Sequence, residues 1–220
     1  MADIAEIKEL AKTLNLMNVY KGVIDIGDET VSNLDYLYKI LKQEVDIRKE
    51  NKVTNLLKES RLPKKEFDDS GITQGLKWQL REIEQIDFKN TNQNIVIVGD
   101  VATGKTSLAA HISRKAIQNG TKAIYFTEED FIAAYKTQKT TRARIQHSDL
   151  IVIDELFYLT PSAENLVYLY KTIMFLAETR SFIFVTNRPL SQWDNMDVDT
   201  HIVSTFRQRI MTNAQLIHLG

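Results

Sequence analysis

Residues Asn94–Ser107 read Asn-Ile-Val-Ile-Val-Gly-Asp-Val-Ala-Thr-Gly-Lys-Thr-Ser. The β-branched run at the beginning predicts a buried strand, and the helix-favouring sequence Leu-Ala-Ala follows the last residue. Between them lies Gly-x-x-x-x-Gly-Lys-Thr, the pattern of a phosphate loop in its required position between a strand and a helix. A chance glycine-rich turn is the alternative, and the surrounding strand and helix make nucleotide binding the better interpretation.

The phosphate loop carries the groups that a nucleotide needs. Its glycines let backbone N–H groups turn toward a phosphate, and the start of the next helix adds a favourable dipole. Lys105 supplies a point charge for the β- and γ-phosphates, and the hydroxyl of Thr106 suits Mg²⁺. The predicted phosphate-binding residues are Gly99, Asp100, Val101, Ala102, Thr103, Gly104, Lys105, Thr106 and Ser107.

Composition restricts the class of protein. A formal net charge of −1 over 220 residues gives no general attraction to nucleic acid, so any such contact must come from local basic segments. The chain has no cysteine, which excludes disulfides and thiolate metal sites, and its four histidines lack ligand spacing. No apolar run approaches the roughly 18 residues of a membrane span, and the start lacks a signal-peptide pattern. We therefore expect a cytoplasmic protein without membrane contact.

The N-terminal part, residues 1–62, is predicted to be a small helical domain. Apolar residues recur at three- and four-residue steps in its first segment, which is typical of an amphipathic helix. They are Ile4, Ile7, Leu10, Ala11, Leu14 and Met17. Gly22 and Gly27 mark a break, and a second helical pattern runs from Val31 through Leu57. Two interpretations remain open: a bundle that only packs, or a module that contacts DNA or a partner protein.

A linker at residues 63–72 separates this domain from the rest of the chain. Pro63 disfavours helix at Leu62, and the run Asp-Asp-Ser-Gly that ends at Gly71 has the composition of a turn. Thr73 can then cap a helix. Residues 73–220 form the predicted nucleotide-binding domain.

Strands alternate with helices through this second domain. Short apolar runs predict five strands, at residues 95–98, 123–126, 150–155, 181–187 and 214–219. Helices are expected after the phosphate loop as far as Asn119-Gly120, at Glu128–Tyr135, from Pro161 through Leu176, and around Ile202–Ile210. The third strand is apolar at consecutive positions, as a parallel strand buried on both faces should be. The alternation predicts a three-layer α/β domain with a parallel sheet.

Two carboxylates, Asp154 and Glu155, follow the third strand. The carboxyl end of a parallel strand faces the ligand crevice, so both are expected beside the phosphate loop. Asp154 is the predicted metal-side acid, which would hold Mg²⁺ together with Thr106, and Glu155 is the predicted catalytic base. A solvated turn at the end of a strand is the alternative, and the phosphate loop upstream favours the functional interpretation.

Three further side chains are candidates for the same chemistry. Asn187 ends the fourth strand, where its amide could position water against the γ-phosphate, although a turn-forming role before Arg-Pro is the alternative. Arg207 and Arg209 lie on the last predicted helix. An arginine supplied across a subunit boundary can stabilise transition-state charge. The alternative is a pair of solvated side chains on an amphipathic helix.

The most basic local segment is the best candidate for contacts with a DNA backbone. Such contacts require positive charge and no interleaved aromatic side chains. A solvated loop is the alternative. The predicted DNA-contacting residues are Lys136, Lys139, Arg142 and Arg144.

Three motifs together resemble those of AAA+ ATPases. Residues 99–106 are similar to Walker A, Leu-Ile-Val-Ile-Asp-Glu at 150–155 to Walker B, and Val-Thr-Asn at 185–187 to sensor 1. Within that class, the sequence from Arg61 to Phe67 looks like the joint of the IstB-like and DnaC-like branch. The run Leu-Thr-Pro-Ser at 159–162 and the tail from Leu190 to Leu219 are similar to IstB-like transposition helpers. The resemblance covers nearly the whole chain.

The resemblance implies an α/β, three-layer P-loop NTPase: an AAA+ core with a parallel sheet and no lid domain, preceded by a small α-helical domain. It implies a Mg²⁺-dependent ATPase that forms a homo-oligomer in the presence of ATP on double-stranded DNA and assists a DDE-type transposase. Arg209 then corresponds to the trans-acting arginine. Two positions depart from the helper pattern. Asp154-Glu155-Leu-Phe stands where helpers usually have Asp-Asp-Trp/Phe-Gly, and Thr186-Asn187 stands where Ser-Gln is common.

These departures resemble general AAA+ and helicase-loader usage, so a second function stays open. In a DnaC-like loader the N-terminal helices would grip a replicative DNA helicase. A neighbouring integrase-type gene would favour the transposition helper, and a neighbourhood of replication genes would favour the loader. A P-loop metabolic kinase is the alternative from another class, and the pair Asn187 and Arg209 favours hydrolysis in an assembly instead.

Overall fold

The chain is described by a computed structural model covering residues 4–24 and 33–220. Its contacts divide it into two compact units, residues 1–55 and 56–220. The break expected at Gly27 and the helix start expected at Val31 lie outside the described residues. None of the helices in the described ranges has the length and apolarity that a membrane span requires.

The first unit is helical. It contains α1 (Ile4–Thr13), α2 (Met17–Tyr20) and most of α3 (Asn33–Glu59). The apolar period predicts one helix through Met17, and this prediction is wrong at the C-terminal end of the helix. Asn15 takes a left-handed φ of 57° and interrupts the helix there. The Leu16 N–H then donates to the Ala11 carbonyl at 2.7 Å across the break. A small core forms from Ala11, Val19 and Ile24.

The second unit contains a parallel sheet. Its strands are β1 (Asn94–Gly99), β2 (Ala123–Thr127), β3 (Leu150–Asp154), β4 (Ser181–Thr186) and β5 (Ala214–Leu219). They are hydrogen-bonded in the order β2-β3-β4-β1-β5, and every neighbouring pair is parallel. This confirms the five predicted strands. The end of β4 lies between the end of β1, where the phosphate loop begins, and the end of β3.

Helices cover both faces of the sheet. They are α4 (Gln74–Glu84), α5 (Lys105–Gln118), α6 (Glu128–Thr137), α7 (Lys139–Gln146), α8 (Ala163–Ala177) and α9 (Thr200–Met211). The connection from β1 to β2 runs toward one edge of the sheet, whereas the connections from β2 to β3, β3 to β4 and β4 to β5 all run toward the other edge. Because crossovers between parallel strands are right-handed, α5 lies on one face of the sheet and α6–α9 lie on the other. The largest core cluster accordingly joins α6–α9 to the strands through side chains such as Phe182, Phe184 and Phe206. The three-layer α/β prediction is confirmed.

Local sequence explains where several helices begin and end. Thr73 caps α4 by accepting the Leu76 N–H at 3.3 Å, as predicted. Helix α5 ends before Gly120, which has a φ of 83°. Pro161 does not begin α8, because the hydroxyl of Ser162 accepts an N–H from the first turn and acts as the N-cap. The predicted basic segment is helical, with Lys136 in α6 and the other three basic residues in α7, so the loop alternative for it is wrong.

The boundary between the two units falls before the linker expected from the sequence. Residues 56–62 belong with the second unit because they pack along the outer edge of β2. The Ser60 carbonyl accepts the Tyr125 N–H at 2.8 Å, and the Arg61 guanidinium lies 5.0 Å from the centre of the Phe126 ring. This segment covers backbone groups that an edge strand would otherwise leave unpaired.

Gly99 should be essential for the packing of β5 against the start of the phosphate loop. A Cβ at this position would lie 2.0 Å from the Leu219 carbonyl oxygen, and this backbone atom cannot move aside as a flexible side chain would. We expect Gly99→Ala to lower the free energy of unfolding by about 1–3 kcal/mol in urea denaturation. Gly71→Ala is the control, because nothing lies within 4 Å of a Cβ there. Equal stabilities of the two variants would contradict the close approach.

Candidate active site

The phosphate loop connects β1 to α5. Gly104 has a φ of 92° and Ala102 a φ of 67°, both in the left-handed region, so the backbone reverses its curvature just before the helix. Helix α5 begins at Lys105, and the N–H groups of its first turn have no acceptor within the helix. The loop and the helix N-terminus thus offer backbone donors to an anion.

Lys105 is buried at the start of α5, with 6% of its surface exposed. Its Nζ donates a hydrogen bond to the Asp100 carbonyl within the loop. Burial lowers the pKa of Lys105, and the negative charges of Asp154 and Asp100 oppose this effect. A buried ammonium whose nearest partner is a neutral carbonyl would gain a charge-assisted hydrogen bond from a phosphate oxygen.

The Asp154 carboxylate joins the loop to two strands and is itself 3% exposed. Its Oδ2 accepts hydrogen bonds from the Thr106 hydroxyl and the Tyr125 hydroxyl, both at 2.7 Å, and its Oδ1 accepts the Glu155 N–H at 2.7 Å. Because the Thr106 hydroxyl donates its only proton to Asp154, its lone pairs remain available to a cation. A neutral hydroxyl next to a carboxylate fits Mg²⁺.

A metal ion at this position would need the nucleotide as well. Within residues 4–24 and 33–220, no group of three or more His, Cys, Asp or Glu side chains could hold a metal ion. Mg²⁺ prefers an octahedral shell that is completed by phosphate oxygens and water. The residues present therefore fit a cation that arrives with a nucleotide.

Tyr125 is a site residue that the sequence does not single out. It lies on β2 opposite Val152 of β3, so its side chain shares a face of the sheet with Asp154, two positions further along β3. Burial raises the pKa of the Tyr125 phenol well above its usual range, and the charge of Asp154 raises it further. The hydroxyl is therefore protonated and donates to Asp154. Only the strand register could have predicted this contact.

Glu155 lies in a tight turn directly after β3. Both Glu155 and Phe157 have a left-handed φ of 57°. The turn is held by the Leu156 N–H, which donates to the Val185 carbonyl at 2.9 Å, and by the Phe157 N–H, which donates to Glu128 Oε2 at 2.7 Å. The exposed Glu155 side chain lines a surface pocket of about 410 Å³ between α6 and the segment after β3. Solvent water can reach its carboxylate there.

Asn187 follows β4 and is half-buried. Its predecessor Thr186 pairs with Val98 of β1, so Asn187 lies beside the phosphate loop, at the edge expected from the sequence. Its side chain makes no hydrogen bond to any residue that the structure describes. The next residue, Arg188, donates from Nε to the Phe157 carbonyl at 3.2 Å and so links the turn after β4 to the turn after β3.

Arg209 lies at the opposite edge of the sheet. It is exposed near the end of α9, where Asn94 at the start of β1 donates to the Ile210 carbonyl at 3.1 Å. The length of β1, roughly 17 Å, separates this edge from the phosphate loop. Arg207 is bound to Asp194 at 2.7 Å, whereas the side chain of Arg209 has no hydrogen bond or ion pair within the described ranges. Arg209 is therefore distant from the phosphate loop of its own chain.

A cavity of about 430 Å³ lies beside α5. Phe67, from the predicted linker, lies at its wall, with its ring centre 5.8 Å from that of His111 on α5. The Phe67 ring also comes within 3.9 Å of the position that a Cβ on Gly104 would take. Phe67 thus lies between the wall of this cavity and the phosphate loop. This long-range contact of a linker residue has no signal in the sequence.

The four basic residues predicted to contact DNA are not equivalent. Lys139 is exposed, and its side chain has no ion pair or hydrogen bond to the residues that the structure describes. The other three have partners within the chain, which are Glu164 for Lys136 (3.0 Å), the Tyr135 carbonyl for Arg142 (2.6 Å) and the Glu59 carbonyl for Arg144 (2.7 Å). Lys139 therefore remains the best placed of the four for a new contact.

Comparison with known proteins places this fold and this loop in one family. A protein-family model described as "IstB-like ATP binding protein" matches residues 6–220. The chain belongs to this IstB-like family. The predicted family is thereby confirmed, and with it an ATP-binding protein of the AAA+ type.

Relatives of this IstB-like chain come from bacterial insertion sequences. An IS21-like insertion-sequence ATP-binding protein of Bacteroides fragilis is 27% identical, over 98% of this chain and 87% of the relative. The ATP-binding protein of insertion sequence IS232 from Bacillus thuringiensis subsp. berliner is 25% identical, over 94% of this chain and 88% of the relative.

Solved structures share the fold. The DnaC helicase loader aligns with a TM-score of 0.55 at 18% identity, covering 76% of this chain and 99% of the loader. AMPPCP-bound DnaA from Aquifex aeolicus aligns with a TM-score of 0.56 at 21% identity, covering 73% of this chain and 51% of DnaA. At these identities the likeness concerns the fold alone, and it confirms the predicted α/β P-loop NTPase fold with a parallel sheet.

Glu128 should make the stability of the IstB-like chain depend on pH. Burial raises the pKa of Glu128 from 4.5 to about 7, and the hydrogen bond from the Phe157 N–H opposes this effect. The pKa of Glu128 is higher in the folded chain than in the unfolded chain. Its contribution to the stability of the fold is therefore complete below about pH 4.5 and is lost as the pH rises through 7. Glu128→Gln should remove this loss, worth up to about 3 kcal/mol in the free energy of unfolding.

Urea denaturation between pH 4 and 8 measures this difference. The control is Glu129→Gln, which removes an exposed carboxylate from the next position of α6 and should leave the pH dependence of the parent. If the free energy of unfolding depends on pH in the same way for Glu128→Gln and for the parent, the raised pKa of Glu128 is contradicted.

Proposed function

We propose that this chain hydrolyses ATP to ADP and phosphate, with Mg²⁺, at the carboxyl edge of its sheet. The observation that carries the proposal is the 2.7 Å hydrogen bond from the Thr106 hydroxyl to the Asp154 carboxylate, which joins the phosphate loop to the acid of β3. A cation next to the β- and γ-phosphates is bound by such a pair, a neutral hydroxyl oxygen and a negatively charged carboxylate. Membership of an ATP-binding family supports ATP as the nucleotide.

Each side chain at this edge has a role in the proposed reaction. The loop backbone and Lys105 bind the phosphates, and Glu155 takes the proton from the attacking water. Asn187 orients that water with its amide, which has no other partner in the described chain. Thr106 and Asp154 would hold Mg²⁺, which would supply neutralisation of phosphate charge when bound. The cavity beside α5 would hold the adenosine, with the Phe67 ring at its wall.

The position of Arg209 supports a homo-oligomer that forms in the presence of ATP. Because Arg209 lies at the sheet edge away from its own phosphate loop, it can reach a γ-phosphate only in a neighbouring chain. An arginine supplied in this way stabilises the charge of the transition state. In this proposal each active site is complete only between two chains.

A role in DNA transposition is supported by the relatives, which are named as ATP-binding proteins of insertion sequences. In this role the oligomer binds double-stranded DNA and assists a DDE-type transposase, and the N-terminal helical domain, residues 1–62, contacts the DNA or the partner. The DnaC-like helicase loader is the alternative, and its support is a likeness of fold.

Two substitutions separate ATP binding from hydrolysis. Lys105→Ala should abolish ATP binding, because no other buried cation adjoins the loop in the described ranges. Glu155→Gln should bind ATP and lose turnover by at least about 100-fold, because the general base is gone. Equilibrium binding of ATP and phosphate release, both measured with duplex DNA present, check these outcomes. Glu82→Gln, at an exposed position of α4, is the control. Tight binding by Lys105→Ala or full turnover by Glu155→Gln would contradict the assignment.

Lys139 should contribute to DNA binding through the phosphate backbone. Lys139→Ala should weaken binding to duplexes of unrelated sequence alike and reduce the slope of log affinity against log salt by about 1. Fluorescence anisotropy over a salt series measures both quantities. Lys122→Ala removes an exposed lysine just before β2 and should change neither. If Lys139→Ala leaves both the affinity for DNA and the salt slope unaltered, the proposed DNA contact of α7 is contradicted.

A further inference from the structure

The Tyr125 hydroxyl donates to Asp154 at 2.7 Å and has no role in the proposed reaction. We infer that Tyr125 is a positioning residue, which turns the Asp154 carboxylate toward the cation of bound Mg²⁺–ATP. This inference rests on the proposed function of the site. It adds a residue from the edge strand β2 to a site otherwise built from the ends of β1, β3 and β4.

The hydrogen bonds of Asp154 leave little freedom to its carboxylate. An ionised carboxylate has about four acceptor positions. Three of them are filled at 2.7 Å, by the hydroxyls of Thr106 and Tyr125 and by the Glu155 N–H. The remaining position can face a ligand, and its direction is set by the three donors.

Of these three donors, Tyr125 is the most firmly held. Its own N–H donates to the Ser60 carbonyl at 2.8 Å on the outer side of β2. On the inner side, β2 pairs with β3 from Ala123 to Thr127. Thr106, in contrast, lies in the first turn of α5, directly after the phosphate loop, and the Glu155 N–H belongs to a left-handed turn. The phenol therefore ties Asp154 to a rigid part of the sheet.

Loss of the phenol hydroxyl should affect the metal more than the nucleotide. Without it, Oδ2 keeps one donor, and the carboxylate can rotate away from the cation. Partners that orient metal-binding groups are typically worth about 10–100-fold in metal affinity. Binding of metal-free nucleotide depends on Lys105 and the loop backbone, and Tyr125 makes no hydrogen bond to either in the part of the chain that the structure describes.

The test uses the full chain with Tyr125→Phe, which keeps the ring and removes the hydroxyl. Mn²⁺ is titrated against protein saturated with an ATP analogue that has a methylene bridge between the β- and γ-phosphates, and free Mn²⁺ is followed by electron paramagnetic resonance. Binding of the analogue in EDTA is measured separately. We expect Mn²⁺ affinity to fall by about tenfold or more, with binding in EDTA unchanged.

Tyr135→Phe is the matched control, because it removes a buried hydroxyl that accepts from Gln146 at 3.1 Å, away from the site. It should change neither quantity. Unaltered Mn²⁺ affinity in Tyr125→Phe would overturn the inference, and so would a parallel loss of metal-free binding, which would mean a merely structural role. If the parent itself binds no Mn²⁺–analogue complex, the proposed function fails and the inference fails with it.

Discussion

The hydrogen bond between Thr106 and Asp154 is the contact on which the rest of the site depends. It joins the helix after β1 to the end of β3, and these two strands are not neighbours in the sheet, because β4 lies between them. The residue that follows β4 is therefore placed between the phosphate loop and the acid. Asn187 owes its central position to this strand order.

The turn after β3 connects this edge of the sheet to the helix that carries Arg209. Phe157 is fully buried, and its ring packs edge-on against two others. The distance between ring centres is 4.8 Å to Trp193 and 5.7 Å to Phe206 of α9. Its backbone is bonded to Glu128 on one side and to Arg188 on the other. A change in the turn that holds Glu155 must therefore be accommodated by α9. The base and the arginine of one chain belong to different sites in the proposed assembly, and this packing links them physically.

Features that depend on neighbouring residues could be predicted from the sequence. The strands, the phosphate loop and the Thr73 cap follow from local composition, and the ends of parallel strands must meet at one edge, which brings Asp154 near the loop. Long-range contacts could not be predicted. Tyr125 reaches Asp154 only in one strand register, and Phe67 approaches Gly104 only after the chain has folded back along α5. The apolar period of α1 did not predict where the helix ends, because Asn15 interrupts the helix through its backbone conformation.

The proposed division of each active site between two chains can be measured by mixing two defective proteins. Lys105→Ala keeps Arg209 and lacks a functional phosphate loop, whereas Arg209→Ala keeps the loop and lacks the arginine. Each alone should hydrolyse ATP poorly, and a mixture on duplex DNA should recover turnover, because some interfaces then combine an intact loop with an intact arginine. Native mass spectrometry shows whether mixed assemblies form. Mixed assemblies that remain inactive, or parental turnover by Arg209→Ala alone, would contradict a shared site.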